Sequence, residues 1–323
     1  MSAPAPTQRL GRTRLEVSRM GIGLAALGRP AYITSGRDAQ LGEDRGVEAM
    51  RARSFAVLDA AYAGGVRYLD AARSYGLAED FLGAWLRERT RPVGDPAVGS
   101  KWGYRYVAGW RMDAEEHEVK DLSVDHLRRQ LTETRERLGD HLRLYQVHSA
   151  TVESGVLEDA AVLRDLDALR REGVAIGVSV TGPQQAATID RAAATGAFDT
   201  VQATWNLYER AAGEALGRAH AAGMAVLVKE GVANGRLAGD AAPAALQAAA
   251  AERGTTPDAV ALAVALAQPW AGVVLSGAVT TETLESNLQA LDVEVDDALA
   301  ARLAGLTEPA EAYWSARSVL PWV

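Results

Sequence analysis

Short apolar segments recur along the chain, and most are followed by a segment in which apolar residues return every three or four positions. The first kind of segment is typical of a buried parallel strand, and the second of an amphipathic helix. The apolar segments lie at residues 20–24, 66–70, 97–102, 142–148, 174–180, 200–205, 224–230 and 272–276. Because eight strands alternate with helices, the pattern predicts a closed (β/α)8 barrel rather than an open sheet.

The helical segments supply the second half of each repeat. Helices are predicted over 52–63, 79–88, 123–138, 157–171 and 211–222, several of them followed by glycine. Thr256 before Pro257 predicts an N-cap and the first residue of a further helix. Alternation around a glycine over residues 10–18 predicts a small hairpin ahead of the barrel.

Three segments do not fit the repeat. Residues 28–50 form a polar insertion after the first strand, and the alanine-rich stretch 241–251 predicts an extra helix. Each is interpreted either as a functional loop region or as a surface elaboration. The aromatic tail at residues 313–322 is predicted either to pack under the barrel or to fold over its mouth.

Composition narrows the class of protein. The 323 residues, 48% apolar and 24% charged, are expected to form one globular domain, 1–323. No signal-type segment or apolar run of bilayer length is found, so we expect a cytoplasmic protein. The net charge of −8 without a basic block argues against nucleic acid and anionic membranes as partners. The lack of cysteine excludes disulfides and thiolate metal sites, and we expect no metal and a small-molecule substrate.

Four ionisable side chains follow successive predicted strands: Asp70 and Tyr75, Lys101, and His148. Because neighbouring strand ends converge on one mouth of a barrel, we expect these side chains to lie close together. An ammonium beside a phenol lowers the pKa of the phenol, and a carboxylate holds the ammonium in place. The pattern therefore predicts that Tyr75 donates or accepts a proton near neutral pH and that His148 orients a carbonyl oxygen.

Other candidate residues carry two interpretations each. Lys229, one of only three lysines among 34 basic residues, forms with Glu230 either a simple ion pair or a cofactor or substrate contact. Aromatic residues that follow strand ends either wall a substrate pocket or pack in the core: Trp102, Tyr106, Trp110 and Trp205. The histidines outside the group of four are interpreted as surface residues: His117, His126, His141 and His220.

These residues and several short motifs resemble the aldo-keto reductase superfamily along nearly the whole chain. The segments that carry the resemblance are LGRT at 10–13, GIG at 21–23, LDAARSYG at 69–76, SK at 100–101, LYQVH at 144–148, GVS at 177–179, VQATWNL at 201–207 and LESNL at 284–288. Within the superfamily the chain is similar to the bacterial branch that contains sugar and pyridoxal dehydrogenases.

The resemblance implies an oxidoreductase that transfers a hydride between a nicotinamide, of NADP(H) or NAD(H), and the carbonyl or alcohol carbon of a small aldehyde, ketone or sugar. It implies that Tyr75 is the general acid/base, Lys101 its partner, Asp70 the anchor of Lys101, and His148 the substrate-orienting group. It also implies cofactor contacts: Ser179 and Gln202 to the carboxamide, Lys229 at the strand end, Gly231, Asn234, Gly235, Ser276, Gly277 and Thr281 to the phosphates, and Asn287 near the adenine.

Three departures from the family pattern bear on the cofactor. Val180 replaces an asparagine after Ser179, and Lys229 with Glu230 occupies the place of an aromatic that stacks on the nicotinamide. Residues 276–291 contain no cation and carry Glu282 and Glu285. Binding the 2′-phosphate of NADP without a cation is unfavourable, which favours NAD or dual use, whereas the family usually prefers NADP.

Two other functions stay open. A Schiff-base aldolase would use Lys101 or Lys229 as its nucleophile and need no nicotinamide. A cofactor-binding regulatory protein would bind the nicotinamide nucleotide tightly with little turnover.

Overall fold

Parallel strands close into an eight-stranded barrel in a computed structural model that describes residues 6–34 and 37–323. The strands are β1 (Thr7–Arg9), β2 (Glu16–Ser18), β3 (Met20–Gly23), β4 (Tyr68–Asp70), β5 (Ala97–Trp102), β6 (Tyr104–Tyr106), β7 (Glu118–Lys120), β8 (Leu142–Ala150), β9 (Ala175–Val180), β10 (Thr200–Thr204), β11 (Ala225–Lys229) and β12 (Ala271–Ser276). The barrel runs β3, β4, β5, β8, β9, β10, β11 and β12, which pairs back onto β3. The predicted (β/α)8 barrel is confirmed.

Helices alternate with the barrel strands along the chain, and the last helix lies in the C-terminal tail. They are α1 (Arg37–Leu41), α2 (Val47–Ala63), α3 (Ala78–Glu88), α4 (Val124–Leu138), α5 (Ala160–Arg171), α6 (Gln185–Thr195), α7 (Gly213–Ala221), α8 (Ala244–Glu252), α9 (Pro257–Leu266), α10 (Thr281–Leu288), α11 (Asp297–Ala304) and α12 (Ala310–Ser318). The extra helix predicted at 241–251 is α8. Ser123 and Thr256 cap α4 and α9 by accepting backbone N–H bonds.

The insertion at 28–50 differs from the prediction of one long loop. It contains α1 and the first turn of α2, which begins at Val47 rather than at residue 52. Residues 35 and 36 of the insertion, and residues 1–5 of the chain, lie outside the described residues. A second difference is the antiparallel pair β6–β7, which lies in the connection between β5 and β8.

Strand alternation decides which side chains reach the barrel mouth. Ala225 and Leu227 of β11 belong to a buried cluster with Tyr68 and Leu144 of other barrel strands. This cluster fills the barrel interior, and the predicted hairpin β1–β2 closes its lower end by adding Leu10 and Val17. Because alternate residues of a strand share a face, the inward series of each strand continues upward into the mouth, which brings Lys229 into it after Leu227.

Two glycines hold the turn that carries Tyr75 against the loop after β3. The backbone N–H of Leu77 donates to the carbonyl of Gly28 at 2.7 Å. A Cβ at Gly28 would lie 2.5 Å from the Cβ of Ala78 and still closer to the carbonyl oxygen of Tyr75. Gly76 has φ +60°, and a Cβ there would meet the carbonyl of Gly28. Only glycine permits this close approach of two backbones.

Gly28→Ala is therefore expected to lower the free energy of unfolding by about 1–3 kcal/mol and to reduce turnover, because the added methyl displaces the Tyr75 turn. Urea denaturation and steady-state kinetics measure the two effects. Gly305→Ala is the matched control, since a Cβ at Gly305 meets no atom within 4 Å. Equal stabilities of the two variants would contradict this account of the turn.

The C-terminal tail folds over the barrel mouth, which settles the choice left open by the sequence. The backbones of Val323 and Tyr32 exchange hydrogen bonds of 2.9 and 3.2 Å. The Trp322 ring stacks on His117, with the ring centroids 4.1 Å apart and the planes within 3° of parallel. The tail thus ties α12 to the loop after β3 and to the connection between β5 and β8.

Candidate active site

Asp70 and Lys101 form a buried ion pair at the mouth end of β4 and β5. Lys101 Nζ donates to Asp70 Oδ2 and, at 3.0 Å, to the carbonyl of Ala71. The other carboxylate oxygen, Oδ1, accepts from three neutral donors: Tyr68 Oη at 3.1 Å, Gln202 Nε2 at 3.1 Å and Gln146 Nε2 at 3.3 Å. Both charged side chains are almost fully buried, with 2% and 0% exposed. This network fixes the ammonium in one position.

Tyr75 and His148 lie above this pair. The hydroxyl of Tyr75 is 3.4 Å from His148 Nε2, and His148 Nδ1 is 3.4 Å from Ser74 Oγ. The Lys101 ammonium lies 4.8 Å from the centre of the Tyr75 ring. The structure therefore brings together all four residues that the sequence groups.

The predicted lowering of the Tyr75 pKa is wrong for this structure. Burial, and next the negative charge of Asp70, raise the pKa of the Tyr75 phenol well above its ordinary value. The positive charge of Arg29, in the loop after β3, lowers this pKa, but burial and Asp70 outweigh it. Tyr75 is consequently a neutral phenol at physiological pH, which is the state that a proton donor requires.

His148 is also neutral, although its pKa moves in the opposite direction. Burial, and next the positive charge of Lys101, hold the pKa of His148 well below its ordinary value, and Arg29, Lys229 and Lys120 act in the same direction. A neutral imidazole can orient a carbonyl oxygen without adding charge to the site.

The stability of the protein is expected to depend on pH through His148. The unfolded chain takes up a proton on this residue below about pH 6.5, whereas the folded protein does not, so the contribution is lost as pH falls through that value. His148→Gln is expected to reduce the loss of unfolding free energy between pH 7.5 and 5.5, by up to about 1.4 kcal/mol per pH unit below 6.5. Urea denaturation at both values measures it. The exposed His220→Gln is the control, and an unchanged pH dependence in His148→Gln would contradict the assignment.

Lys229 and Glu230 form a second charged group at the mouth. Lys229 Nζ donates to Thr204 Oγ1 at 2.7 Å and lies 3.9 Å from Glu230. Burial lowers the pKa of Lys229 to about 8. Burial also opposes the ionisation of Glu230, but the charges of Arg317 and Lys229 outweigh it and lower the Glu230 pKa to about 2. Arg317 of α12 binds Glu230 through Nε at 2.8 and 2.9 Å, which anchors the tail helix over the mouth.

The residues predicted to hold the carboxamide lie side by side on the barrel rim. Ser179 and Gln202 are paired across β9 and β10. The Ser179 hydroxyl accepts from the backbone of Ser149 at 3.3 Å, and Gln202 donates to Asp70. Both side chains are buried and already hydrogen-bonded, so their bonds must be shared or exchanged when a ligand binds.

The residues predicted near the adenine form a network between two helices. Asn287 accepts from Ser276 Oγ at 2.7 Å and donates to Asp258 Oδ2 at 2.6 Å. The same carboxylate oxygen accepts from Ser286 at 2.7 Å. An acidic group thus lies beside Asn287, in addition to Glu282 and Glu285 of α10.

The loop after β11 and the start of α10 fit the nicotinamide dinucleotide that the resemblance implies. Ala233, Asn234 and Gly235 all have left-handed backbone, with φ of 49°, 54° and 93°. Asn234 Oδ1 is a buried acceptor without a hydrogen-bond partner among the described residues, and a ribose hydroxyl or an amide can satisfy it. The space beside Gly277 is open, and Thr281 begins α10, where helix N–H groups favour an anion.

The predicted pocket aromatics divide into two groups. Trp102 and Trp205 pack in the hydrophobic core, with 0% and 3% exposed, which is the second of the two interpretations that the sequence left open. Alternation explains Trp102, because its neighbour Lys101 faces the barrel interior. Tyr106 and Trp110, which the structure leaves partly exposed, line a cavity of about 370 Å³ beside the Tyr75 turn.

Sequence reasoning missed three residues at the mouth: Arg29, Glu118 and His117. Arg29 donates to Glu118 at 2.7 Å and contacts Tyr75. His117, interpreted from the sequence as a surface residue, stacks on Trp322, and His126 is buried as well, with 1% exposed. The position of Arg29 soon after a strand end could have indicated that it lies at the mouth. The polar residues around it in the insertion obscured this signal.

The described residues contain neither a metal-binding cluster nor a helix that could span a membrane. They contain no group of three or more histidine, aspartate or glutamate side chains that could hold a metal ion. None of the helices in that part of the chain is both long and apolar enough to cross a membrane.

The closed barrel, with a carboxylate, a phenol, an ammonium and an imidazole at its mouth, defines a (β/α)8-barrel enzyme. Residues 20–308 match the sequence model of the Aldo/keto reductase family. The chain belongs to this family, a class of NAD(P)-dependent oxidoreductases.

Individual relatives agree with the family match. The chain is 30% identical to a D-threo-aldose 1-dehydrogenase of Pseudomonas sp. over 52% of its own length, and spans 54% of that protein. It is 25% identical to the NADH-specific methylglyoxal reductase of Escherichia coli over 94% of its length and 98% of the relative. The holo form of a Bacillus halodurans aldo-keto reductase shares the fold, with a TM-score of 0.74, 22% identity, and coverage of 95% of this chain and 97% of that one.

Proposed function

We propose that the chain interconverts a small aldehyde, ketone or sugar and its reduced or oxidised partner, with Tyr75 as the general acid/base. The observation that carries this proposal is the pairing of a buried, neutral Tyr75 with His148 at 3.4 Å, directly above the Lys101–Asp70 ion pair. Proton donation to a carbonyl oxygen needs a protonated group within hydrogen-bond reach of that oxygen, and this arrangement provides one.

The residues of this chain would act in a fixed order. His148 and Tyr75 hold the carbonyl oxygen between them, and Tyr75 releases its proton to that oxygen as the carbonyl carbon gains a hydride. A bound nicotinamide supplies or accepts that hydride. Lys101, held by Asp70, stabilises the Tyr75 phenolate that remains, and the tail excludes water from the mouth. In alcohol oxidation the same groups act in reverse.

We propose further that NAD(H) binds more tightly than NADP(H). Residues 276–291 contain no cation, and Asp258, Glu282 and Glu285 make the surroundings of Asn287 acidic. A 2′-phosphate would meet uncompensated negative charge there. The Escherichia coli relative, an NADH-specific methylglyoxal reductase, agrees with this preference.

Fluorescence titration with NADH and NADPH tests the cofactor, and nucleotide consumption with methylglyoxal and a panel of aldoses tests the substrate class. We expect saturable binding of both nucleotides, tighter for NADH, and turnover of at least one carbonyl or sugar. A folded protein that binds neither nucleotide would overturn the proposal. Tight binding without turnover over the whole panel would favour the regulatory alternative.

The aldolase alternative retains one candidate nucleophile. Lys101 Nζ already donates hydrogen bonds to Asp70 and to the carbonyl of Ala71. The candidate that is left is Lys229, because its lowered pKa of about 8 increases the fraction of neutral amine. Borohydride trapping of a carbonyl substrate on Lys229 would support the aldolase, and absence of any adduct would exclude a Schiff base.

A further inference from the structure

Arg29 is a buried cation at the centre of the mouth. Its side chain is only 2% exposed. Nη1 donates to Glu118 Oε1 at 2.7 Å and to the carbonyl of Ser74 at 3.4 Å, and Nε donates to the carbonyl of Ala25 at 3.1 Å. One guanidinium therefore connects the loop after β3, the strand β7 and the residue that precedes Tyr75.

The same guanidinium packs on three aromatic rings. Its carbon lies 5.1 Å from the centre of the Tyr75 ring, 4.7 Å from that of Tyr32 and 5.0 Å from that of Trp322. Tyr32 and Trp322 belong to the segments that close over the mouth. Arg29 thus connects the Tyr75 ring to the segments that close over the mouth.

The charges around Tyr75 come from several elements. Asp70 and Lys101 face it from β4 and β5, His148 from β8, Glu118 from β7, Glu230 from the end of β11 and Arg29 from the loop after β3. The neutral phenols Tyr32 and Tyr68 also lie close. Burial and then Asp70 raise the pKa of Tyr75, Arg29 lowers it, and the negative charges of Glu118 and Glu230 raise it further.

Lys101 is the second cation beside Tyr75, 4.8 Å from the centre of the phenol ring. Its ammonium is hydrogen-bonded to Asp70, the carboxylate that works against ionisation of Tyr75. Arg29 is paired with Glu118 instead, and its guanidinium is in direct contact with the Tyr75 ring. Arg29 therefore adds, from outside the group of four, a second positive charge that favours the phenolate.

We propose that Arg29 is a positioning residue for proton transfer at Tyr75: it fixes the ring against His148 and supplies a positive charge that stabilises the phenolate. This inference rests on the proposed function of Tyr75. Glu118 sets the strength of the effect, because its carboxylate partly neutralises Arg29.

The test is the pH dependence of kcat/KM for carbonyl reduction in the wild type, Arg29→Met, Arg29→Lys and Glu118→Gln. Arg29→Met removes the charge and leaves Glu118 unpaired, so the alkaline limb of the profile is expected to move up by about one pH unit or more. Glu118→Gln removes a negative charge that pairs with Arg29 and raises the pKa of Tyr75, so the limb is expected to move down. Arg29→Lys keeps a charge and is expected to restore the limb to within about 0.3 pH unit of the wild type.

The opposite shifts separate this role from a structural one. Damage to the mouth would lower kcat in every variant without moving the limb in opposite directions. A limb that stays in place in both Arg29→Met and Glu118→Gln, or moves in the same direction in both, would overturn the inference. If Arg29→Met fails to fold, Glu118→Gln and Arg29→Lys still decide, because the first must move the limb down and the second must not.

Tyr75→Phe distinguishes failure of the inference from failure of the proposed function. If Tyr75→Phe keeps near wild-type turnover, the proposed function fails and Arg29 has no phenol to act on. If Tyr75→Phe is inactive while the Arg29 and Glu118 variants share the wild-type limb, only the role of Arg29 fails. NADH affinity, measured by fluorescence, is expected to differ by less than about twofold between the wild type and the Arg29 and Glu118 variants, because Arg29 acts through Tyr75.

Discussion

Tyr75→Phe is expected to lower kcat for carbonyl reduction by about 10²–10⁴-fold while the Kd for the nicotinamide nucleotide stays within about twofold. The substitution removes only the hydroxyl, which lies 3.4 Å from His148 Nε2. The ring keeps its contacts with Arg29 and Lys101, so the shape of the site is preserved. The carbonyl oxygen then has no group that can donate a proton as charge develops on it.

Tyr62→Phe is the matched control for this prediction. Its hydroxyl bonds only backbone groups, those of Gly94 at 3.2 Å and Val93 at 2.9 Å, on the outside of the barrel. Its turnover is expected to equal that of the wild type. Comparable activity of Tyr75→Phe and Tyr62→Phe would remove Tyr75 from the proposed mechanism.

Lys101→Met is expected to reduce both activity and stability. It leaves Asp70 as a buried carboxylate with neutral donors only, and breaking a buried ion pair in this way costs about 3–5 kcal/mol. Turnover is also expected to fall, because the phenolate of Tyr75 loses its nearest ammonium. Urea denaturation and single-turnover kinetics measure the two effects separately.

The double variant Asp70→Asn with Lys101→Met separates stability from chemistry. Removing the unpaired charge is expected to recover part of the lost unfolding free energy but none of the lost turnover. Lys120→Met, at an exposed lysine whose Nζ bonds the carbonyl of Ser149 at 2.8 Å, is expected to change stability by less than about 0.5 kcal/mol. A fully stable Lys101→Met protein would contradict the description of a tightly coupled buried pair.

The barrel and the group of four were predictable because their physical signals are local. Buried parallel strands appear as apolar runs, and the residues that end those runs must meet at one mouth. The burial of Trp102 could also be predicted, because neighbouring residues of a strand face opposite sides and Lys101 faces the barrel interior. The burial of a histidine such as His126 is harder to predict, because it depends on which face of α4 packs against the barrel.

The electrostatics of the site could not be predicted, because they depend on contacts between distant segments. Burial and the negative charge of Asp70 raise the pKa of Tyr75. The charge that opposes this rise belongs to Arg29, in an insertion without a clear pattern, and its partner Glu118 lies on a strand that no periodicity indicated. Strand ends locate the chemistry, whereas the loops that close over them set the protonation states.

Transfer of deuterium from NADH labelled at C4 of the nicotinamide tests the central proposal most directly. The labelled nucleotide is incubated with the protein and an aldehyde that it turns over, and the alcohol product is analysed by mass spectrometry. One deuterium on the former carbonyl carbon, with product formation abolished in Tyr75→Phe, is the predicted result. Alcohol without deuterium on that carbon, or equal product from Tyr75→Phe, would contradict hydride transfer coupled to proton donation by Tyr75.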